Sequence, residues 1–341
     1  MHLILNHQSI KLVLMNKYKI LILLASVVVA VVFVNCATPK VETAVTTPGC
    51  LSLHGTNTEW SGETEIVIIG YTGNAMEPRV SSDQITLFFN NKTSSDTEMN
   101  IHYALRTAPN TYLYKGTLTG TVSPSVLDGV PAVDSAGRFY FVSTRTYGTN
   151  YGTLFSGQAA VVAGPALEIQ NVASADASVT LNTPGKLDMD IDVSWDGTLA
   201  VASNADFTGG LAYPDTSKLA IYTVNTTNRT FSPNSNSTAW LANVNLSQCR
   251  VYAGNLSNDL LELYFTVFPS GTSFTASDFK IAVSKRSSTA VPFGTGAIIS
   301  AISGDLAEGP SISMDDGGKS LFYHRKDAVS GNFKIYKVTR P

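Results

Sequence analysis

The sequence holds little charge: Asp, Glu, Lys and Arg make up 14% of the 341 residues, against about 25% in a typical soluble domain. Long exposed helices are built mainly from Glu, Lys and Arg, so this shortage excludes a helical bundle or a coiled coil. Cysteine is also scarce, with three residues, and this excludes a disulfide scaffold. The net charge of −3 provides no basic surface for nucleic acid, which is therefore not expected as a partner.

Hydrophobic residues, in contrast, make up 44% of the chain, and this content excludes intrinsic disorder. They occur mostly in short runs separated by segments rich in Ser, Thr, Asn and Gly. Short apolar runs bounded by such turn residues are typical of β-strands. The composition therefore predicts an all-β protein.

The N-terminus has the pattern of an export signal. Residues 20–34 form an unbroken apolar run of 15, which follows the basic segment 15–19. The run is shorter than the roughly 20 residues that a transmembrane helix needs. We therefore expect residues 1–35 to be a signal peptide, with Met15 as the start.

Cys36 stands just after the apolar run, and this arrangement resembles a bacterial lipoprotein signal. The resemblance implies that Cys36 carries lipid, although Phe33 and Asn35 depart from the usual cleavage motif. It also implies an exported protein of the bacterial envelope, anchored by its lipid to the outer membrane or cell surface. Residues 36–62 would then be a linker and residues 63–341 the domain. The alternative is an ordinary signal peptide or anchor helix in which Cys36 has no role.

Cys50 and Cys249 are the remaining cysteines. An exported protein occupies an oxidising compartment, where a disulfide between these two residues is allowed. Two separate thiols are the equal alternative.

A repeat of about sixty residues organises the rest of the chain. Each unit has a short strand, a polar turn, an apolar second strand and a third strand. Corresponding positions in the third strands are Ile101, Val161, Ile221, Ile281 and Ile335, so the intervals are 60, 60, 60 and 54 residues. The fourth unit has a degenerate hairpin.

The turn motif Pro-x-hydrophobic-Ser-x-Asp-Gly, seen best in residues 308–340, resembles the WD-like β-propeller repeat of TolB-type proteins. The resemblance implies a five-bladed β-propeller, a fold that hosts many activities. The last unit ends after its third strand. We therefore expect an N-terminal strand at residues 65–70 to complete that blade and close the ring.

Acidic residues stand near the start of four inner strands: Glu77, Asp128, Asp190 and Glu308. Inner strands line the channel of a propeller, so these acids could form a rim that binds a sugar or a cation such as Ca²⁺. The alternative is that they accept hydrogen bonds from turn backbone groups. No other cofactor is expected, since the histidines show no metal-ligand spacing.

The main functional hypothesis is a non-enzymatic, monomeric binding module that recognises an envelope protein or a glycan on one face of the propeller. No nucleophile elbow or phosphate-binding loop is present in the sequence. The alternative is a five-bladed glycoside hydrolase, which needs one carboxyl group as acid and another as base or nucleophile. Its candidate residues by position are Glu77, Asp134, and Asp190 or Asp192.

Overall fold

The computed structural model describes residues 49–91, 99–161, 166–175, 183–209, 213–313 and 316–341. The predicted signal peptide, the predicted lipidation site Cys36 and the first part of the predicted linker lie outside these residues. Among the described residues, no helix is both long and apolar enough to cross a membrane.

The described chain forms the predicted five-bladed β-propeller, in which each blade is an antiparallel sheet that runs from an inner to an outer strand. An N-terminal segment of three strands precedes the blades: β1 (Gly55–Asn57), β2 (Ser61–Glu65) and β3 (Val67–Ile69). The blades then follow in chain order. Blade 1 has β4 (Met76–Val80), β5 (Thr86–Asn90), β6 (Ile101–Ala108) and β7 (Thr111–Thr117); blade 2 has β8 (Asp128–Val133), β9 (Arg138–Ser143), β10 (Leu154–Val161) and β11 (Leu167–Ser174); blade 3 has β12 (Lys186–Val193), β13 (Leu199–Asp206), β14 (Thr216–Asn225) and β15 (Thr230–Pro233); blade 4 has β16 (Cys249–Leu256), β17 (Glu262–Pro269), β18 (Lys280–Lys285) and β19 (Ala297–Ile299); and blade 5 has β20 (Asp305–Ile312), β21 (Ser320–Lys326) and β22 (Phe333–Thr339).

Short helical turns connect some of these strands. They span Cys50–Leu53, Tyr147–Asn150, Ser237–Trp240 and Ala276–Asp278. The five third-strand positions predicted from the repeat all fall in third strands, including the strand of the degenerate fourth unit. The sixty-residue interval was therefore a correct guide to the blades.

The hydrophobic core lies between the blades. Second strands are apolar on both faces because each side of a blade packs on a neighbour; in β5, for example, Leu87 and Phe89 face blade 5 and Phe88 faces blade 2. Five buried clusters join the five pairs of adjacent blades in this way. Since a blade cannot bury both faces alone, the ring is stable only when it is closed.

The N-terminal segment closes the ring, but with different residues from those predicted. Strand β2 at Ser61–Glu65, not residues 65–70, pairs antiparallel with β22 and completes blade 5. The chain then passes through buried Ile66, whose N–H donates to Ile335 O over 2.9 Å. Strand β3 continues to blade 1, where it pairs in parallel with β7. The predicted single strand is therefore divided between two blades.

The same segment also reaches blade 4. Strand β1 pairs in parallel with β19, although its residues 55–57 were expected to belong to the linker. Just before it, Cys50 and Cys249 form a disulfide, with Cα atoms 5.1 Å apart. The N-terminal segment thus connects blades 4, 5 and 1, and the disulfide fixes its beginning to the first residue of β16.

We expect replacement of both bridge cysteines by serine to lower stability. The bridge joins residues 199 positions apart. Closing so long a loop lowers the entropy of the unfolded chain, which stabilises the folded protein by up to about 5 kcal/mol, with 2–4 kcal/mol typical. Thermal unfolding with and without a reductant tests this. The reductant should lower the melting temperature of the native chain and leave that of the Cys50→Ser/Cys249→Ser variant unchanged. Equal melting temperatures for the native chain and the variant would contradict the expectation.

Candidate functional site

The inner strands share a backbone irregularity that shapes the channel. Each of β4, β8, β12, β16 and β20 has a register shift against its second strand. In four of them a residue at the shift has a positive φ: Glu77 (49°), Val130 (53°), Ala253 (50°) and Gly309 (63°). These four residues and Asp190 of β12 line the channel. A positive φ is unusual for a residue with a side chain, so at Glu77 it marks a position of backbone strain.

These irregularities also link neighbouring blades. A bulged residue has a backbone N–H that the sheet does not use, and burial requires that it find an acceptor. In four of the five junctions, a side chain of one second strand accepts the N–H from the next blade. These bonds are Val130 N to Asn90 Oδ1 (2.9 Å), Ala253 N to Ser203 Oγ (2.9 Å), Gly309 N to Thr266 Oγ1 (3.1 Å) and Glu77 N to His324 Nδ1 (3.1 Å).

We call these four bonds the junction bonds. A sequence signal for them exists, because each acceptor follows three apolar residues of its second strand, as in Leu87-Phe88-Phe89-Asn90 and Leu321-Phe322-Tyr323-His324. The sequence interpretation missed this signal. Its last member, His324, makes the bond that closes the ring from blade 5 to blade 1.

Three acids from three different blades meet at one end of the channel: Glu77 of β4, Asp190 of β12 and Glu308 of β20. They lie at a cavity of about 230 Å³. Asp190 and Glu308 are 4% and 8% exposed. Gly309 makes room for the Glu77 carboxylate, because a Cβ atom at Gly309 would collide with Glu77 Oε2. Blade 5 can thus receive the acid of blade 1.

The rest of the cavity wall is mainly apolar. It includes Met76, Met99, Met189, Phe207, Tyr213 and Pro214. The phenol of Tyr252 also lies here, and its hydroxyl is hydrogen-bonded to Glu308. The site therefore places acidic groups against a wall that excludes water.

Burial and mutual repulsion shift the protonation of these acids. Burial raises the pKa of Asp190 to about 7; hydrogen bonds from Ser203 and the Ala253 N–H oppose this change, and the charge of Glu308 adds to it. Burial, followed by the charges of Asp190 and Glu308, raises the pKa of Glu77 well above its usual value. The same causes raise the pKa of Tyr252. Buried acids that cannot all ionise near neutral pH are typical of acid–base sites.

The acids are not gathered as tightly as ligands of one metal ion. Among the described residues, the one group of three His, Cys, Asp or Glu side chains with ligand atoms all within 4.8 Å is Cys50, His54 and Cys249, whose two cysteines form the disulfide. Glycoside hydrolases need a wider arrangement, with carboxyl groups about 5–9.5 Å apart. The carboxylate oxygens of Glu77, Asp190 and Glu308 do not all lie within 4.8 Å of one another.

The other acids considered in the sequence lie elsewhere. Asp128 is buried against Arg145, with Oδ1 2.8 Å from Nη2, and is not part of the cavity wall. Asp134 accepts hydrogen bonds from the backbone N–H groups of its own turn and pairs with Arg138. It is therefore a turn residue and not a funnel acid.

Asp192 is also committed to a structural contact. Its Oδ1 lies 2.8 Å from Arg79 Nη1, and both side chains are buried. Arg79 Nη2 donates to Val133 O (3.0 Å) and Val193 O (3.3 Å), so this guanidinium crosses from blade 1 to blades 2 and 3. Arg79 and Asp192 fill the channel, leaving about 30 Å³ there. Of the glycosidase candidates, Glu77 and Asp190 thus belong to the cavity, and Glu308 joins them.

Comparisons with known proteins define the fold further. No protein-family model and no curated protein sequence matches the chain. A solved glycoside hydrolase is similar over 84% of this chain and 93% of its own, at 13% identity and a TM-score of 0.52. A family 62 glycoside hydrolase in complex with xylotriose is similar over 84% and 98%, at 10% identity and a TM-score of 0.50. A TolB-type protein from Agrobacterium tumefaciens reaches 0.43 at 10% identity, covering 81% of this chain and 78% of its own. At these identities the likeness concerns the fold alone.

The comparisons nevertheless correct the main functional expectation. The main hypothesis was a non-enzymatic binding module, but solved structures that resemble this propeller with TM-scores of 0.50 or more include several glycoside hydrolases. The expectation that the protein is not an enzyme is therefore wrong in the light of these neighbours. A repeat motif reports blade packing, which propeller enzymes and propeller binding proteins share, so it could not separate the two classes.

We expect Asp190→Asn to change how stability depends on pH. Because the pKa of Asp190 is raised to about 7 in the folded state from 3.8, the folded protein binds more protons than the unfolded chain between these values. The free energy of unfolding should therefore fall as pH rises through this window. At pH 8 the variant should have the higher melting temperature, with a free energy of unfolding larger by up to about 4 kcal/mol. Near pH 4 the two proteins should have the same stability.

Thermal unfolding from pH 4 to pH 8 measures this effect. Asp83→Asn is the matched control, because Asp83 accepts turn hydrogen bonds at the surface and Asn keeps an acceptor oxygen. It should follow the native pH dependence. If the stability of Asp190→Asn depends on pH as that of the native protein does, Asp190 has an ordinary pKa and the electrostatic description of the site is wrong.

Proposed function

We propose that this protein is a glycoside hydrolase whose active site is the cavity at Glu77, Asp190 and Glu308. One observation carries the proposal: three acids from separate blades converge in a largely apolar cavity that raises the pKa of two of them. Glycosidic bond cleavage needs one carboxylic acid that gives a proton to the leaving oxygen and one carboxylate that acts as base or nucleophile. The cavity supplies both kinds of group.

The surroundings of each acid support its role. Asp190, with a pKa of about 7, is matched to proton transfer at neutral pH and is the general acid. Glu308 accepts hydrogen bonds from His324 and Tyr252, which hold its carboxyl group in place, and is the base or nucleophile. Burial and its two acidic neighbours raise the pKa of Glu77 and so favour its protonated form. It limits the negative charge that the site must hold.

The size and wall of the cavity favour the end of a glycan as substrate. A volume of about 230 Å³ is below the roughly 300–1,000 Å³ of a pocket for a drug-sized ligand, so it suits one sugar residue. The ring of Tyr213 offers an apolar face on which a sugar can pack. The similar family 62 enzyme was solved with xylotriose, and this supports an oligosaccharide as the ligand class.

We also propose that the enzyme acts outside the cytoplasm, anchored by lipid at Cys36. The predicted signal peptide supports export. The disulfide between Cys50 and Cys249 suits an oxidising compartment. A surface glycosidase would meet its glycan directly.

Release of nitrophenol from a panel of aryl glycosides, together with chromatography of digested oligosaccharides, tests the proposal. We expect Asp190→Asn and Glu308→Gln to lower kcat by about 10²–10⁴-fold, because a positioned acid or base contributes that much. Both variants should remain folded by circular dichroism. Asp83→Asn should keep native kcat. No hydrolysis of any substrate by the native protein, or full activity in both site variants, would contradict the assignment.

A further inference from the structure

His324 stands at the contact between ring closure and the site. Its side chain is fully buried, on the second strand of blade 5. Nδ1 accepts the N–H of Glu77 over 3.1 Å, and Nε2 lies 3.3 Å from Glu308 Oε2. Because a backbone N–H can only donate, Nδ1 must be the unprotonated nitrogen of the imidazole. The neutral ring then carries its proton on Nε2 and donates it to Glu308.

This second bond distinguishes His324 from the junction residues Asn90 and Thr266. Asn90, Ser203 and Thr266 occupy the same place in their blades, and each accepts a backbone N–H from the next blade. A small side chain is sufficient for that purpose. Ser203 and His324 also bond a cavity acid of their own blade, Asp190 and Glu308 respectively, and His324 does so with the second nitrogen of its ring. A junction that needed only an acceptor would not require an imidazole.

We propose that His324 is a positioning residue, which orients Glu308 for catalysis through Nε2–H while its Nδ1 holds blade 1 against blade 5. The inference rests on the proposed hydrolase function. Fixing the carboxylate in one orientation matters because misplacement of a reacting group by about 1 Å can cost about 100-fold in rate. The ring-closing bond and the orientation of Glu308 thus depend on opposite sides of one imidazole.

Acidic and phenolic groups surround His324. Glu77 lies on β4, with Oε1 3.9 Å from Nδ1, and Glu308 lies on β20. Asp190 of β12 interacts electrostatically with both acids, and Tyr252 of β16 bonds Glu308. From β22, Phe333 covers the imidazole edge to face, with ring centroids 5.5 Å apart. The proton on Nε2 therefore has Glu308 as its acceptor.

Two substitutions separate the two bonds. His324→Asn places an acceptor oxygen near the position of Nδ1 and removes the donor to Glu308; blade 1 uses Asn90 in this way. His324→Gln places an amide nitrogen near the position of Nε2 and removes the acceptor for Glu77 N–H. We expect His324→Asn to retain the native melting temperature and to lose about 10–100-fold in kcat with little change in KM. The acidic limb of its pH–kcat/KM profile should move to higher pH, because the carboxylate of Glu308 has lost a hydrogen-bond donor.

The Gln variant should show the reverse pattern. We expect it to recover kcat to within about threefold of native and to melt lower, since a buried N–H has lost its acceptor. If the two variants differ only in melting temperature and share the native pH profile, His324 is a structural residue alone and the inference fails. The same holds if His324→Asn keeps native kcat.

A spectroscopic measurement keeps this test independent of the hydrolase assignment. In protein labelled with ¹⁵N-histidine, the neutral His324 ring at pH 8 should show a protonated Nε2 and an unprotonated Nδ1. Glu308→Gln should move the Nε2 resonance, whereas Asp83→Asn should not. A chain that hydrolyses no glycoside but shows this response retains the His324–Glu308 contact and loses the proposed function. A protonated Nδ1, or no response to Glu308→Gln, overturns the contact itself.

Discussion

Much of this propeller depends on one constraint: the bulges of the inner strands leave backbone N–H groups that have no acceptor within their own sheet. A buried N–H without an acceptor costs about as much as a lost hydrogen bond, so each has to be met from outside its own sheet. The junction bonds provide that partner from the preceding blade in four of the five junctions. One irregularity thus turns the inner strands toward the channel and also ties neighbouring sheets together.

Arg79 and Asp192 fill the channel next to the site and leave about 30 Å³ there, whereas the cavity at the three acids has about 230 Å³. Arg79 and Asp192 form a buried ion pair, and the remaining donors of Arg79 reach carbonyl groups of two other blades. Removal of one member would leave a buried charge unpaired, at a cost of about 3–5 kcal/mol. Because Asp192 satisfies the charge of Arg79, this cation is not free to neutralise the three cavity acids. Their repulsion is therefore retained in the site.

Retained repulsion and backbone strain are the features that separate Glu77, Asp190 and Glu308 from acids such as Asp134. An acid that serves the fold is paired or receives turn N–H groups, as Asp134 does. Glu77 instead combines a positive φ with burial beside two other acids. Such an arrangement lowers stability and persists when the surrounding structure enforces it, which is the usual relation between stability and an active site.

Local periodicity in the sequence was sufficient for the fold. Strand patterns recur every sixty residues, so five blades and closure by an N-terminal strand followed from neighbouring residues alone.

The closing residues were misplaced because Glu65–Gly70 has the pattern of one strand, whereas buried Ile66 divides it between blades 5 and 1. Three of the four predicted rim acids do meet, but Asp128 pairs with Arg145, a contact that its place in the repeat did not indicate. The glycoside hydrolase remained the alternative hypothesis because no short sequence motif indicates it. Glu77 and Glu308 are 231 residues apart in the chain and meet through His324 only when blade 5 closes on blade 1. The repeat in the sequence determined the ring; closure of the ring decided which acids share a cavity, because that depends on contacts between the two ends of the chain.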